Sequence, residues 1–268
     1  MDLGIAGKIA LVAGAGRDLG RATAMQLARE GAIVALGGRT REPLAETAAL
    51  IEHEGGRAHI VVVDASTAGG VENAVSTMMS TFGRIDLFAN TIGTFPRGAA
   101  GSVPAYADDE AWLSAFDAIF LTAVRLNRAI VPVMKAAGQG AVVHTLANSV
   151  RHFSESTAQY GAMKAALAHL VKNLARDVAG TEVRVNAVLP GWIRTAKLEQ
   201  TLAEQAADAG IQPDEAEAKM MAGHGAAFWG LRMGRPAEYA DAIVYLLSQR
   251  AGYINGALVP VDGGSQIA

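Results

Sequence analysis

Seven short apolar, β-rich runs alternate along the chain with longer segments of Ala, Leu and charged residues, and no other feature restricts the fold so much. The runs are KIALVA (8–13), AIVALG (32–37), AHIVVV (58–63), IDLFAN (85–90), AVVHTL (141–146), VRVNAV (183–188) and ALVPV (257–261). Each except the last is followed by helix-patterned sequence, so the strands are joined by helical crossovers that make them parallel and cover both faces of the sheet. The pattern predicts an α/β fold, a doubly wound sheet of seven parallel strands in a three-layer αβα arrangement. With 268 residues, 51% of them hydrophobic, the chain can bury such a core as one domain spanning 1–268. Open sheets of this kind bind ligands beyond the C-terminal ends of their strands, so the residues just after each run are those to read for chemistry. Residues 192–235 break the alternation. Two helix-like pieces, KLEQTLAEQAADAG and PDEAEAKMMAGHGAAFWGLRM, surround Gly210 and Pro213 and are too long for a plain connection. They predict a substrate lid at about 192–235.

The first run leads directly into AGAGRDLG (13–20) and a helix beginning LGRATAMQLARE. Glycines in a strand–helix turn let the backbone approach phosphates, and the free amides and dipole of the helix favour an anion there. Gly14, Gly16 and Gly20 therefore read as a pyrophosphate loop, with a turn kept glycine-rich for packing as the alternative. The second run ends in ALGGRT, which puts Arg39 where an NAD site would carry a ribose-binding Asp or Glu, with Arg17 close by in the glycine loop. Two guanidiniums suit a 2′-phosphate, so the cofactor reads as NADP(H). Asp18 is the odd member of the loop. A carboxylate beside a pyrophosphate is repulsive, and its expected role is N-cap of a helix starting at Leu19.

The stretch STAQYGAMKAAL (156–167) sets one phenol and one ammonium, Tyr160 and Lys164, a helical turn apart. Such a pair is either a proton-transfer couple or a buried tyrosine with a lysine snorkelling outward. The chain contains no cysteine, which excludes disulfides, thiolate catalysis and cysteine-ligated metal. A net charge of -3 without a basic run gives no footprint for nucleic acid or anionic membrane, so a small molecule is the expected partner. The segment MDLGIAGKIALVAGAG reads as neither a signal peptide nor a spanning helix, and a cytoplasmic protein is expected.

In this setting QYGAMKAAL resembles the active-site helix of the short-chain dehydrogenase/reductase family, whose mark is Tyr and Lys four apart. IDLFANTIG (85–93) is similar to the family's fourth-strand segment and VRVNAVLPGWIRT (183–195) to its Pro-Gly stretch. GRPAEYADAIVYLLS together with INGALVPVDGG is similar to its C-terminal region. The resemblance covers about Gly7 to Gly264 and implies a Rossmann-type fold, a nicotinamide cofactor, a ketoreductase-like interconversion of carbonyl and alcohol, and a homotetramer. Carried over, it assigns Gly14, Arg17, Asp18, Leu19 and Gly20 to the phosphates, Arg39 and Thr40 to the adenosine side, and Asp64 and Ala65 to the adenine. Asn90 and Gly93 fall at the adenosine ribose region, and Pro190, Gly191, Ile193 and Thr195 at the nicotinamide. Tyr160 becomes the proton donor or acceptor. Lys164 would hold the nicotinamide ribose, its charge drawing the phenol's pKa down.

The sequence departs from the family pattern at the reacting end. The family's catalytic Ser, thirteen residues before its Tyr, falls on Ala147, which leaves Asn148 and Ser149 as the nearest donors. Its helical Asn, thirteen residues before a Pro, falls on Ile119 before Pro132, so a water relayed to Lys164 would have to rest on a main-chain carbonyl. Thr91 stands where a second Asn is common. His144 and His152 flank the same loop, but no further ligands cluster at metal spacing and no metal site is expected. His144 reads as a satisfied strand histidine and His152 as a candidate substrate contact. Ala147, Asn148, Ser149 and Trp192 form the substrate-near set. Trp192, Met220, Met221, Phe228, Trp229 and Met233 either line the lid toward a bulky apolar substrate or pack its interior.

The first reading is an NADP(H)-dependent oxidoreductase acting on a carbonyl or alcohol. Its alternatives are the same fold used for enone reduction, isomerisation or elimination, and a catalytically weak NADP(H)-binding protein.

Overall fold

The computed structural model describes residues 1–93, 108–151, 158–223 and 232–265. All seven runs are strands of one parallel sheet: β1 (Ile9–Ala13), β2 (Ile33–Gly38), β3 (Arg57–Val62), β4 (Leu87–Asn90), β5 (Gln139–Thr145), β6 (Glu182–Pro190) and β7 (Leu258–Val261). Their order is β3-β2-β1-β4-β5-β6-β7, so the winding reverses between β1 and β4. At that reversal Ala13 pairs with Gly37 on one side and with Asn90 on the other, which brings the glycine loop and the end of β4 together.

Alternate strand residues feed two separate cores, as the pleat requires. Leu11, Phe88, Val142 and Val185 pack on one face with Leu126, Ile130, Leu167 and Val171. Val12, Val34, Leu36 and Ala89 pack on the other with Leu27, Ile51, Tyr239 and Ile243. The helices that cover the sheet are α1 (Asp18–Arg29), α2 (Arg41–His53), α3 (Ala68–Phe82), α4 (Asp109–Ala115), α5 (Thr122–Ala137) and α6 (Ala158–Asp177), followed by α9 (Pro236–Leu247) after the lid. A six-residue π-helical stretch, Phe116–Leu121, joins α4 to α5 and contains Ile119.

The 192–235 segment breaks at the Gly and Pro that punctuate it. Helix α7 (Ala196–Ala209) ends at Gly210 in the left-handed conformation, φ 64°, and Pro213 begins α8 (Pro213–Gly223). Among the described residues no helix is long and apolar enough to cross a membrane.

Candidate active site

The glycine loop is shaped by close backbone contact. Gly14 has φ 92°, and a Cβ on Gly20 would stand 1.9 Å from the carbonyl oxygen of Gly14, so no other residue fits there. A Cβ on Gly14 would meet Thr91 Oγ1 at 3.1 Å. Thr91 is in turn fixed by donating its hydroxyl to Ala13 O at 2.8 Å. The glycines thus let the loop pack tightly against the end of β4 at the start of α1, where the free amides of the helix suit a diphosphate. Leu19 is buried, while Arg17, Arg39 and Thr40 are exposed. Asp64, exposed after β3, is held below the usual carboxylate range by hydrogen bonds from Ser66 and, more weakly, by the charge of Arg39. Arg39 therefore lies near the Asp64 and buried Ala65 corner assigned to the adenine.

Asp18 does not cap α1. The helix begins at Asp18 itself, its N-cap is Arg17 and no side chain caps it. Asp18 instead takes φ 45°, and its Oδ1 accepts a hydrogen bond from Ala196 N at 2.9 Å. The left-handed backbone turns the carboxylate away from the amides of its own helix and toward the first turn of α7.

At the reacting end of the site, α6 packs against β6 and the π-helical stretch, which brings Lys164 inside and leaves Tyr160 partly buried. Lys164 does not snorkel: only 2% of it is exposed, and its Nζ donates to Thr145 O at 2.8 Å. The same Nζ lies 5.5 Å from the centre of the Tyr160 ring. Burial lowers the ammonium to about 8 and pushes the phenol up to about 12. The direction is opposite to the expected downward shift of Tyr160, and loss of solvation is its cause. The phenol accordingly keeps its proton at neutral pH, as a donor to a carbonyl oxygen must.

Ala147, nearly buried and extended, precedes a single 3₁₀ turn, Asn148–Val150. Ser149 Oγ is enclosed and has no hydrogen-bond partner among the described residues, and it lies 3.7 Å from where a Cβ on Gly161 would stand. It is thus a hydroxyl that faces Gly161, the residue after Tyr160. Two further buried polar groups without partners adjoin the pair and were missed from sequence: Thr145 Oγ1, on the residue whose carbonyl holds Lys164, and the side-chain amide of Gln159. Strand alternation was the available signal for Thr145, since it stands two residues before Ala147.

Behind this end runs a directed hydrogen-bond chain. Ile92 N donates to Asn90 Oδ1 at 3.2 Å, which leaves the Asn90 amide nitrogen facing His144 Nδ1 at 3.2 Å. Nδ1 must accept, so Nε2 carries the proton and donates to Asn127 Oδ1 at 3.1 Å, and Asn127 Nδ2 donates to Ala123 O at 2.7 Å. His144 is fully buried, as a satisfied strand histidine. Desolvation first, and the charge of Lys164 second, lower it to about 3.

Of the segment assigned to the nicotinamide, Pro190 ends β6 and Gly191 N donates to Val261 O at 3.1 Å. Ile193 bridges to Gly234, and Thr195 Oγ1 caps α7 by accepting from Leu198 N at 3.4 Å. Trp192 is 36% exposed, and its carbonyl accepts from Tyr239 Oη at 2.8 Å. Met221 and Met233 are buried and pack with partly buried Leu198 and Met220. Ile119 is buried within the π-helical stretch. Gly93 is exposed just beyond β4. His152, Phe228 and Trp229 lie outside the described residues. Among the described residues no group of three His, Asp or Glu side chains could hold a metal ion.

A family model described as "Enoyl-(Acyl carrier protein) reductase" matches residues 14–266. "Short-chain reductase protein NovJ" of Streptomyces niveus is 30% identical over 256 residues, 96% of this chain and 93% of the relative. L-sorbose reductase from Gluconobacter frateurii, solved in complex with NADPH and L-sorbose, is 33% identical, with a TM-score of 0.90 and full coverage of both chains. A structure of actinorhodin polyketide ketoreductase with NADPH is 25% identical, with a TM-score of 0.85 over 98% of each chain.

Proposed function

Because the chain belongs to the short-chain dehydrogenase/reductase family, we propose that it is an NADP(H)-dependent oxidoreductase that interconverts a carbonyl and an alcohol on a small molecule, with Tyr160 as proton donor in the reductive direction. The observation that carries this reading is the buried Lys164, pinned to Thr145 O with its Nζ 5.5 Å from the ring of a phenol that stays protonated. The dinucleotide, when bound, supplies or accepts hydride. The chain's own part is to cradle the diphosphate on Gly14–Gly20, hold the ribose with Lys164 and deliver the proton from Tyr160 Oη to the carbonyl oxygen. Exposed Arg17 and Arg39 beside the loop support the 2′-phosphate, as do the two NADPH-bound neighbours. Ser149 and Asn148 are the donors available to hold the substrate oxygen, and half-exposed Trp192 favours a bulky or apolar substrate face. A groove between α5 and α6, lined by Val124, Val131, Pro132, Leu170 and Leu174, supports a symmetric helix-packed assembly, which we read as a homotetramer.

The missing hydroxyl at Ala147 supports a second reading, enone reduction, in which a polarising serine is dispensable. Incubation with NADPH and a panel of ketones, quinones and enones, with product identification, separates the two. Tyr160→Phe removes the proton but keeps the ring, so turnover should vanish with NADPH binding nearly preserved. Full activity in that variant would refute the mechanism. Arg39→Ala should weaken NADPH by about ten- to a hundredfold and leave NADH nearly unchanged. Equal affinity of the unmutated protein for both dinucleotides would remove the NADP(H) preference.

A further inference from the structure

Asp18 is the one residue other than glycine with a positive φ among the described residues. An L side chain is disfavoured in that region, Asp and Asn least so, and glycine would occupy it without penalty. What Asp adds over glycine is a carboxylate. Its Oδ1 accepts from Ala196 N at 2.9 Å, across 178 positions of sequence. Ala196 opens α7, where the first amides have no partner within the helix and the dipole favours an anion.

The approach to α7 is held by the Ile193–Gly234 bridge and by Arg194 N donating to Gly234 O at 2.9 Å, both upstream of the helix itself. Leu202 and Ala206 of α7 pack with Ala216 of α8 in a small cluster separate from the two cores that flank the sheet. Arg194, just before α7, directs its side chain to Glu199, Asp214 and Glu217, all within the lid. Tyr239 holds Trp192 O, upstream of the helix. Among the described residues, the bond from Asp18 is the hydrogen bond that joins the first turn of α7 to the glycine loop.

We infer that Asp18 is a positioning residue that fastens the start of α7 to the glycine loop, so that the loop and the Pro190–Thr195 segment form one preset surface. The like-charge repulsion its carboxylate exerts on a diphosphate is tolerated for that geometry. The fastening follows from the chain's own geometry. Only its consequence for binding rests on the dinucleotide reading above.

Two variants isolate the acceptor. Asp18→Gly keeps the backbone conformation and loses the oxygen, whereas Asp18→Asn keeps both a left-handed tolerance and an acceptor. Amide exchange is read by NMR on the full chain without dinucleotide. D18G should accelerate the Ala196 amide by about tenfold or more, with Ile243 in α9 within about twofold of wild type and D18N within about threefold at both amides. Unchanged Ala196 exchange in D18G would overturn the inference, and so would D18N exchanging as fast as D18G. Acceleration of Ile243 to match would make Asp18 a general stability residue and overturn it equally. Affinity is then measured for whichever of NADPH and NADH the wild-type chain binds more tightly. D18G should bind about tenfold more weakly than D18N, in which the charge is also gone. Equal affinities would refute the positioning role. Failure of the wild-type chain to bind either dinucleotide would count against the proposed function, while the exchange result still decides the fastening.

Discussion

Acidification should destabilise this protein through His144 before it touches the carboxylates. His144 is buried, accepts from Asn90 through Nδ1 and donates to Asn127 through Nε2, so both ring nitrogens are engaged as the neutral imidazole. Protonation would force Nδ1 to become a donor facing another donor. The folded-state pKa is lowered to about 3 against 6.5 for a free histidine, with Lys164 adding to the effect. A lowered folded pKa means that the unfolded chain takes up the proton first. The stability is therefore whole above about pH 6.5 and drains away as the pH falls toward 3. At about 1.4 kcal/mol per pH unit, the fall from 6.5 to 5 amounts to about 2 kcal/mol, a sizeable part of a domain's net stability. The assay is urea denaturation at about pH 7 and about pH 5, comparing wild type with His144→Asn. The variant is less stable at pH 7 but should lose about 2 kcal/mol less on acidification, because the other histidines and the carboxylates cancel in the comparison. Equal losses in the two proteins would refute the reasoning, as would an NMR titration of His144 with a midpoint near 6.5.

Gly20→Ala places a Cβ 1.9 Å from Gly14 O, so denaturation should show a loss of about 1–3 kcal/mol and dinucleotide titration a loss of most binding. Ala147→Ser should raise ketone reduction, by up to about a hundredfold, if the missing hydroxyl is what limits the native enzyme; no gain would favour enone chemistry. Ser149→Ala should cost about a hundredfold in kcat if its free hydroxyl serves as the replacement donor, and steady-state kinetics on the best substrate decides it.

The architecture was legible because strands buried on both faces leave continuous apolar runs such as Val142–Val143, and because Gly210 and Pro213 punctuate the lid with backbone chemistry that depends on neither neighbour nor fold. The pairing of Tyr160 with Lys164 was legible from helical spacing. Asp18 was not, since a one-residue uncertainty in where α1 begins decides between a cap and a left-handed residue, and its partner Ala196 lies in another helix. The direction of the Tyr160 shift was misread for a related reason. Spacing reveals the neighbouring charge, whereas the burial that raises the phenol is set by how α6 packs against β6 and the π-helical stretch.

His144 shows how these unreadable parts bear on the chemistry. Its position on β5 fixes only a face of the sheet, while its two partners come from β4 and α5. Burial first and the charge of Lys164 second keep a proton off this imidazole, and its two partners satisfy the ring in its neutral form. A protonated His144 would set a second buried cation near Lys164, and the ammonium, already lowered to about 8, would lose its proton more readily. Among the described residues, neutral His144 therefore leaves Lys164 without a second buried cation beside it, and the ammonium stands alone near the Tyr160 ring.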